Sequence, residues 1–188
     1  AKAVWGMKEM RVSLPAETAP IIERTDFLGK AYTFGVKSYE GDPSVENEVK
    51  EINKQIYLKL QGPPLELYEL GRKWSMEHFA LLYKKLGSSF DFLIPESEVV
   101  DAGLAACRKA MEKGLFVESE GAIVFVAEKY GLHTRVFITK EGLPTYEAKD
   151  LGLCRRKYEL SPFDLSVSIT AHDQDEYFKV VFKAVDML

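Results

Sequence analysis

The segment from Arg135 to Asp150 constrains the fold of this chain more than any other stretch, because it joins a β-rich run to a helix. RVFITK has the β-branched and aromatic residues typical of a strand, and Gly142 and Pro144 turn the chain into the predicted helix. Tyr146 and Asp150 are four residues apart, so they share one face of that helix. A carboxylate beside a phenolic oxygen suits a planar cation such as guanidinium. An ordinary amphipathic helix, with its aromatic residue in the core and its acid in solvent, explains the same spacing.

Composition excludes several classes of protein. The chain has 188 residues, of which 46% are hydrophobic, enough to bury a core, and no apolar run approaches the roughly 18 residues of a membrane span. A net charge of -4 argues against a principal nucleic-acid surface. Cys107 and Cys154 are too few for a disulfide framework, so we expect buried free thiols. The three histidines lack the spacing of a zinc motif, so we expect no metal site.

Apolar spacing predicts a helical first half and a mixed second half. Helices are predicted over residues 26–40, 44–60, 65–86, 99–113, 144–158 and 173–188. Residues 122–127 and 134–139 predict a β hairpin. The short apolar run 90–94 predicts a buried strand, and residues 165–170 predict a buried parallel strand. His172 to Gln174 then follow the end of the second strand, where α/β sheets place ligands.

Several segments, in order along the chain, resemble the catalytic core of arginyl-tRNA synthetases, which are class I aminoacyl-tRNA synthetases. AKAVWGM resembles a helix that follows the first part of the nucleotide-binding fold in that family. The other matching segments are DFLGKAYTFGVKSYEGDPSVENEVKEINKQIY, KWSMEHFALLYKKLGSSFDFLIPES, EGAIVFVAEKYGLHTRVFITKEGLPTYEAKDLGL, SVSIT and AHDQDEYFKVVFKAV. The resemblance therefore covers nearly the whole chain.

This resemblance implies an α/β fold, the second part of a class I nucleotide-binding (Rossmann-like) core with a helical insertion and an αββ insertion. The implied organisation has four parts. They are a helical insertion over 1–65, a helix and strand of the core over 66–94, an αββ insertion with the hairpin over 95–143, and a helix-strand-helix of the core over 144–188.

The resemblance also assigns the residues of an amino-acid pocket. In the family a Tyr-x-x-x-Asp helix and a glutamine after the next strand line that pocket, and the matching positions here are Tyr146, Asp150 and Gln174. Asp150 is the implied partner of the substrate guanidinium, and Glu96 is a candidate contact for the tRNA 3′ end. Many members have histidine where Tyr177 stands here, which leaves the adenosine contact at that position unassigned.

The implied parent enzyme activates L-arginine with ATP and magnesium and transfers it to tRNA(Arg) in the cytoplasm, without a membrane. Neither of the family's two ATP signature motifs has a counterpart in these residues. We therefore expect an internal piece of a larger polypeptide, with no catalytic residue, no tightly bound cofactor and no activity of its own. The alternative is a non-catalytic binding or interaction module that keeps the synthetase-like architecture.

Overall fold

The computed structural model describes residues 1 to 188, and the chain divides into two compact units, Ala1–Phe90 and Asp91–Leu188. Each unit buries its own hydrophobic core. No helix combines the length and the apolar composition needed to cross a membrane.

The first unit is built from four helices whose ends follow local sequence signals. Pro43 and Pro63 occupy first-turn positions, where a missing N–H costs no hydrogen bond. The Asp42 carboxylate accepts a hydrogen bond from the Ser44 backbone N–H at 2.8 Å, so Asp42 caps the helix that begins at Pro43. Gly87 ends the last helix in the left-handed conformation, with φ 67°. The helices are α1 Lys2–Glu9, α2 Ile21–Gly41, α3 Pro43–Tyr57 and α4 Pro63–Leu86.

Two tryptophans organise the core of the helical unit. Trp5 packs with Val49 and Ile52 of α3, and its indole Nε1 donates a hydrogen bond to the Glu48 carboxylate at 2.8 Å. Trp74 of α4 is fully buried and packs with Phe27 and other residues of α1 and α2. All four helices therefore contribute apolar side chains to this core.

Helices α1 and α2 cross with their backbones almost in contact. A Cβ atom on Gly6 would lie 1.9 Å from the Ala31 carbonyl oxygen, and one on Gly35 would lie 2.1 Å from the Lys2 carbonyl oxygen. Only glycine fits at these two positions without displacing the backbone of the other helix.

The second unit packs three helices with a small antiparallel sheet. Its elements are α5 Glu96–Glu112, β1 Val117–Ser119, β2 Ala122–Phe125, β3 Arg135–Ile138, α6 Tyr146–Leu160 and α7 Asp175–Met187. The strand order is β1-β2-β3, and both pairs of neighbours are antiparallel. Phe116, Phe125 and Phe137 pack against one another and against Cys107 in the buried core. Short turns of 3-10 helix precede β3 and α7.

Helices α5 and α6 also cross at glycines. A Cβ atom on Gly103 would lie 2.2 Å from the Ala148 carbonyl oxygen, and one on Gly152 would lie 2.2 Å from the Val99 carbonyl oxygen. The two helices therefore meet backbone to backbone on both sides of their crossing.

The six predicted helices and the hairpin are confirmed, with shifted ends. The largest shift is in α2, which begins at Ile21 rather than near residue 26. Strand β1 has three exposed residues and no apolar alternation, so sequence spacing gave no signal for it. Cys107 is a buried free thiol as predicted, whereas the free thiol of Cys154 is only half-buried.

The two predicted buried strands are wrong for this structure, because neither 90–94 nor 165–170 forms a strand. A strand requires a neighbouring backbone to satisfy its N–H and C=O groups, and no segment pairs with either run. Leu165, Val167 and Ile169 are exposed rather than buried, Ile169 to 94%. The residues thus form helices and an antiparallel sheet, and they do not form the parallel nucleotide-binding sheet that the resemblance implies.

The surroundings of two glycines in α2 predict opposite effects when each is replaced by alanine. Gly35→Ala should lower the stability of the helical unit by about 1 to 3 kcal/mol, because the new methyl group overlaps the backbone of α1. Gly29→Ala should raise it by about 0.5 to 1 kcal/mol, because nothing lies within 4 Å of the added carbon and alanine favours helix. Urea unfolding followed by circular dichroism measures both changes. Equal effects at the two positions would contradict the close packing.

Candidate functional site

Strand β3 holds the start of α6. The Thr145 hydroxyl donates to the Val136 carbonyl oxygen at 2.8 Å, and the Thr145 backbone N–H donates to the Phe137 carbonyl oxygen at 3.0 Å. Pro144 forms an isolated bridge with Ile138 just before the helix. This attachment, together with the glycine crossing on α5, fixes the position of the α6 backbone.

Asp150 projects from α6 towards α7. The Tyr177 hydroxyl donates a hydrogen bond to Asp150 Oδ2 at 2.5 Å, and this carboxylate is about half-buried. The Arg135 guanidinium lies over the Tyr177 ring, with its Cζ 5.4 Å from the ring centroid. Asp150 is therefore held by the fold and does not simply extend into solvent.

Two further acids lie near Asp150, and each has a cationic partner. Glu147 is only 9% exposed, and its Oε1 accepts a hydrogen bond from Arg135 Nη1 at 3.2 Å. Glu96, the first residue of α5, accepts a hydrogen bond from Lys149 Nζ at 2.8 Å. Asp150 makes no ion pair, and its hydrogen-bond partner, Tyr177, is a neutral donor. Of these three acids, Asp150 is therefore the one that forms no ion pair.

Burial and neighbouring acids disfavour the charged form of Asp150. Loss of solvent raises the pKa of its carboxyl group, and the charges of Glu96 and Glu147 raise it further. The Tyr177 hydrogen bond and the charge of Lys157 act in the opposite direction without cancelling the rise. Burial and the bond to Asp150 also raise the pKa of Tyr177 above its usual range, so its hydroxyl keeps its proton.

The other residues predicted for the site have different surroundings. Tyr146 is 65% exposed, and the Lys149 ammonium lies over its ring, 4.6 Å from the centroid. Gln174 is exposed at the end of the 3-10 turn before α7, and its backbone N–H donates to the Ala171 carbonyl oxygen. The structure joins Asp150 to Tyr177, and it forms no hydrogen bond between Asp150 and either Tyr146 or Gln174.

Sequence reasoning did not find Arg135, Glu147, Lys149 or Tyr177 as members of this cluster. Tyr177 is 27 residues from Asp150 in sequence, so helical spacing gave no signal for their contact. Arg135 and Glu147 are 12 residues apart on different elements. Only the packing of α5, β3, α6 and α7 reveals these contacts.

A separate cavity lies in the helical unit and contains none of these residues. Its volume is about 860 Å³, and its lining includes Tyr32, Tyr39, Tyr68 and Arg72. We take the charged cluster as the candidate site, because Asp150 and Tyr177, whose pKa values are both raised, are in direct contact there beside three further charged side chains. The structure contains no group of three or more histidine, cysteine or acidic residues able to hold a metal ion.

Comparison with known families matches most of the chain. Residues 22–188 match the family described as tRNA synthetases class I (R), catalytic domain. The chain belongs to this arginyl-tRNA synthetase family. The match includes α5, α6 and α7, and so contains the charged cluster.

Curated relatives named arginine--tRNA ligase are similar over much of the chain. The enzyme of Streptococcus equi is 32% identical over 155 residues, which cover 82% of this chain and 27% of the relative. That of Clostridium beijerinckii is 29% identical over 171 residues, covering 91% of this chain and 30% of the relative. The Bdellovibrio bacteriovorus enzyme is 27% identical over 194 residues, covering 100% of this chain and 33% of the relative. The chain thus spans about a third of the length of these relatives.

Solved structures agree at the level of the fold. The arginyl-tRNA synthetase of Plasmodium falciparum superimposes with a TM-score of 0.58 and 14% identity, over 100% of this chain and 30% of that protein. A putative arginyl-tRNA synthetase from Campylobacter jejuni gives 0.56 and 17% identity, over 98% of this chain and 38% of that protein.

The raised pKa of Asp150 predicts that Asp150→Asn stabilises the free chain at neutral pH. Because the unfolded carboxyl group ionises near 3.8 and the folded one only at higher pH, the wild-type chain loses stability as pH rises across this interval. Asparagine does not ionise, so the variant should have the higher urea midpoint at pH 7, and this difference should disappear below pH 3.8.

The exposed Asp164 provides a control for this measurement, since Asp164→Asn should leave the urea midpoint unchanged at pH 7. A wild-type chain that is more stable than Asp150→Asn at neutral pH would mean that the Asp150 charge stabilises the fold, and would contradict the predicted direction.

Proposed function

We propose that this chain supplies the L-arginine pocket of an arginyl-tRNA synthetase, in which Asp150 binds the substrate guanidinium. Tyr146 and Gln174 line the same pocket in this proposal. The four-part division at residues 65, 94 and 143 belongs to the proposal as well. Family membership supports arginine as the substrate, and the electrostatics of the cluster support Asp150 as the residue that binds it.

The observation that carries the proposal is that Asp150 forms no ion pair within the protein. A carboxylate that is partly removed from water is costly unless a positive charge approaches it, and here the neighbouring cations Arg135 and Lys149 already bind Glu147 and Glu96. A guanidinium group arriving as ligand gives Asp150 its counter-charge. The free energy regained when this charge is matched then contributes to ligand binding.

Guanidinium fits this role better than other cations. Its planar fork donates parallel N–H bonds to a carboxylate, whereas an ammonium group is a compact point charge. Tyr146, one helical turn before Asp150, can accept a further N–H bond at its phenolic oxygen. The pocket therefore selects arginine over lysine by geometry, and over neutral citrulline by charge.

ATP supplies the adenylyl group in the proposed reaction, and magnesium neutralises phosphate charge. We assign neither to a residue of this chain, which contains no candidate metal cluster among its side chains. The task of this chain in the reaction is to hold and orient arginine. Glu96 remains our candidate for contact with the 3′ end of tRNA(Arg), and its ion pair with Lys149 keeps it near the pocket.

Arginine binding to this chain, measured by calorimetry, tests the proposal. Asp150→Asn should weaken binding about tenfold to a hundredfold, because one charge-assisted bond of roughly 1.5 to 3 kcal/mol is lost. Lysine and citrulline should bind the wild-type chain at least about tenfold more weakly than arginine. Asp164→Asn is the matched control and should bind arginine like the wild type.

If the Asp150→Asn variant remains folded and its arginine affinity is unchanged, Asp150 does not bind the substrate guanidinium. In a polypeptide that carries both ATP signature motifs together with this chain, arginine should drive pyrophosphate exchange, and Asp150→Asn should abolish most of it. Arginine binding without any exchange in that polypeptide would favour a non-catalytic binding module.

A further inference from the structure

The contact between Tyr177 and Asp150 does more than join α7 to α6. A carboxylate has two oxygens, each able to accept about two hydrogen bonds, and the Tyr177 hydroxyl occupies one position on Oδ2. The hydroxyl thereby fixes the rotation of the carboxylate plane. Oδ1 makes no hydrogen bond within the protein and is the oxygen left for a ligand.

The Tyr177 ring is itself held in place. Arg135 lies over one face of the ring, and the Arg135 guanidinium is anchored by its bond to Glu147. Phe178 packs edge-on against the same ring, with the two centroids 5.0 Å apart. The direction of the Tyr177 hydroxyl is therefore set by contacts with β3, α6 and α7 before any ligand arrives.

We propose that Tyr177 is a positioning residue of the arginine pocket, which orients Asp150 so that the substrate guanidinium is received at Oδ1, opposite the hydroxyl. This inference rests on the proposed function, because it concerns the same carboxylate. It adds a residue that neither the helical spacing of Tyr146 and Asp150 nor the resemblance assigned to arginine.

A neutral donor suits this role better than a cation. The Tyr177 hydroxyl stabilises the carboxylate form of Asp150 but leaves its negative charge available to a ligand. The other charged groups that act on Asp150 are Glu96 of α5 and Glu147 and Lys157 of α6. Of these, only Lys157 favours the ionised form, so removal of the hydroxyl leaves Asp150 surrounded mainly by groups that disfavour its charge.

Tyr177→Phe tests this inference, since it keeps the ring and removes only the hydroxyl. The pKa of Asp150, followed in the free chain by carbon NMR of its carboxyl group, should rise, because the variant has lost a bond that favours the anion. Arginine affinity at pH 6 should fall by about tenfold. The pH below which arginine affinity declines should also be higher in the variant, because only ionised Asp150 attracts guanidinium.

Tyr158→Phe is the matched control, because Tyr158 lies on α6 with an exposed ring that packs against Phe163. This variant should titrate and bind like the wild type. A Tyr177→Phe chain with the wild-type Asp150 midpoint and the wild-type affinity would overturn the positioning role while leaving the arginine pocket intact. A wild-type chain that binds no arginine at any pH would overturn the pocket and the positioning role together.

Discussion

The glycine crossing of α5 and α6 is the constraint on which the second unit depends. Helices usually pack with their axes about 8 to 10 Å apart, separated by side chains. At Gly103 and Gly152 this separation is lost, because the backbone of each helix fills the space that a Cβ atom needs. Helix α6 cannot slide along α5 without driving side chains into that backbone. With its start bonded to β3 through Thr145, α6 presents Asp150 at one fixed position.

The helices were predictable because their apolar residues follow the helical period. In α3 the side chains of Val45, Val49, Ile52 and Ile56 all pack into one core cluster, as their spacing predicts. The run from 165 to 170 alternates as a strand should, yet it forms none, because alternation describes one chain whereas a strand is a property of a pair. The spacing of apolar residues therefore predicted the helices and the hairpin. It failed for the two single strands, because each of them needs another strand to pair with.

The candidate site was predictable only in part, for the same reason. Tyr146 and Asp150 share a helix, so their spacing alone placed them on one face. Tyr177 reaches Asp150 from another helix, and the resemblance drew attention to this position only as a departure from histidine. The pairing of Arg135 with Glu147 likewise depends on β3 lying beside α6. Tertiary packing thus decides which acid has a counter-charge, and no sequence pattern contains that information.

The distribution of charge in the cluster explains why one acid remains available to a ligand. Lys149 and Arg135 reach Glu96 and Glu147, and these pairs satisfy their charges within the fold. A lysine at position 177 would satisfy Asp150 in the same way, and an arriving cation would then have to displace it. A phenol does not compete in this manner, because its hydroxyl stays protonated and contributes no charge. The fold therefore tolerates an unfavourable, half-buried carboxylate, and this cost makes Asp150 attractive to a cationic ligand.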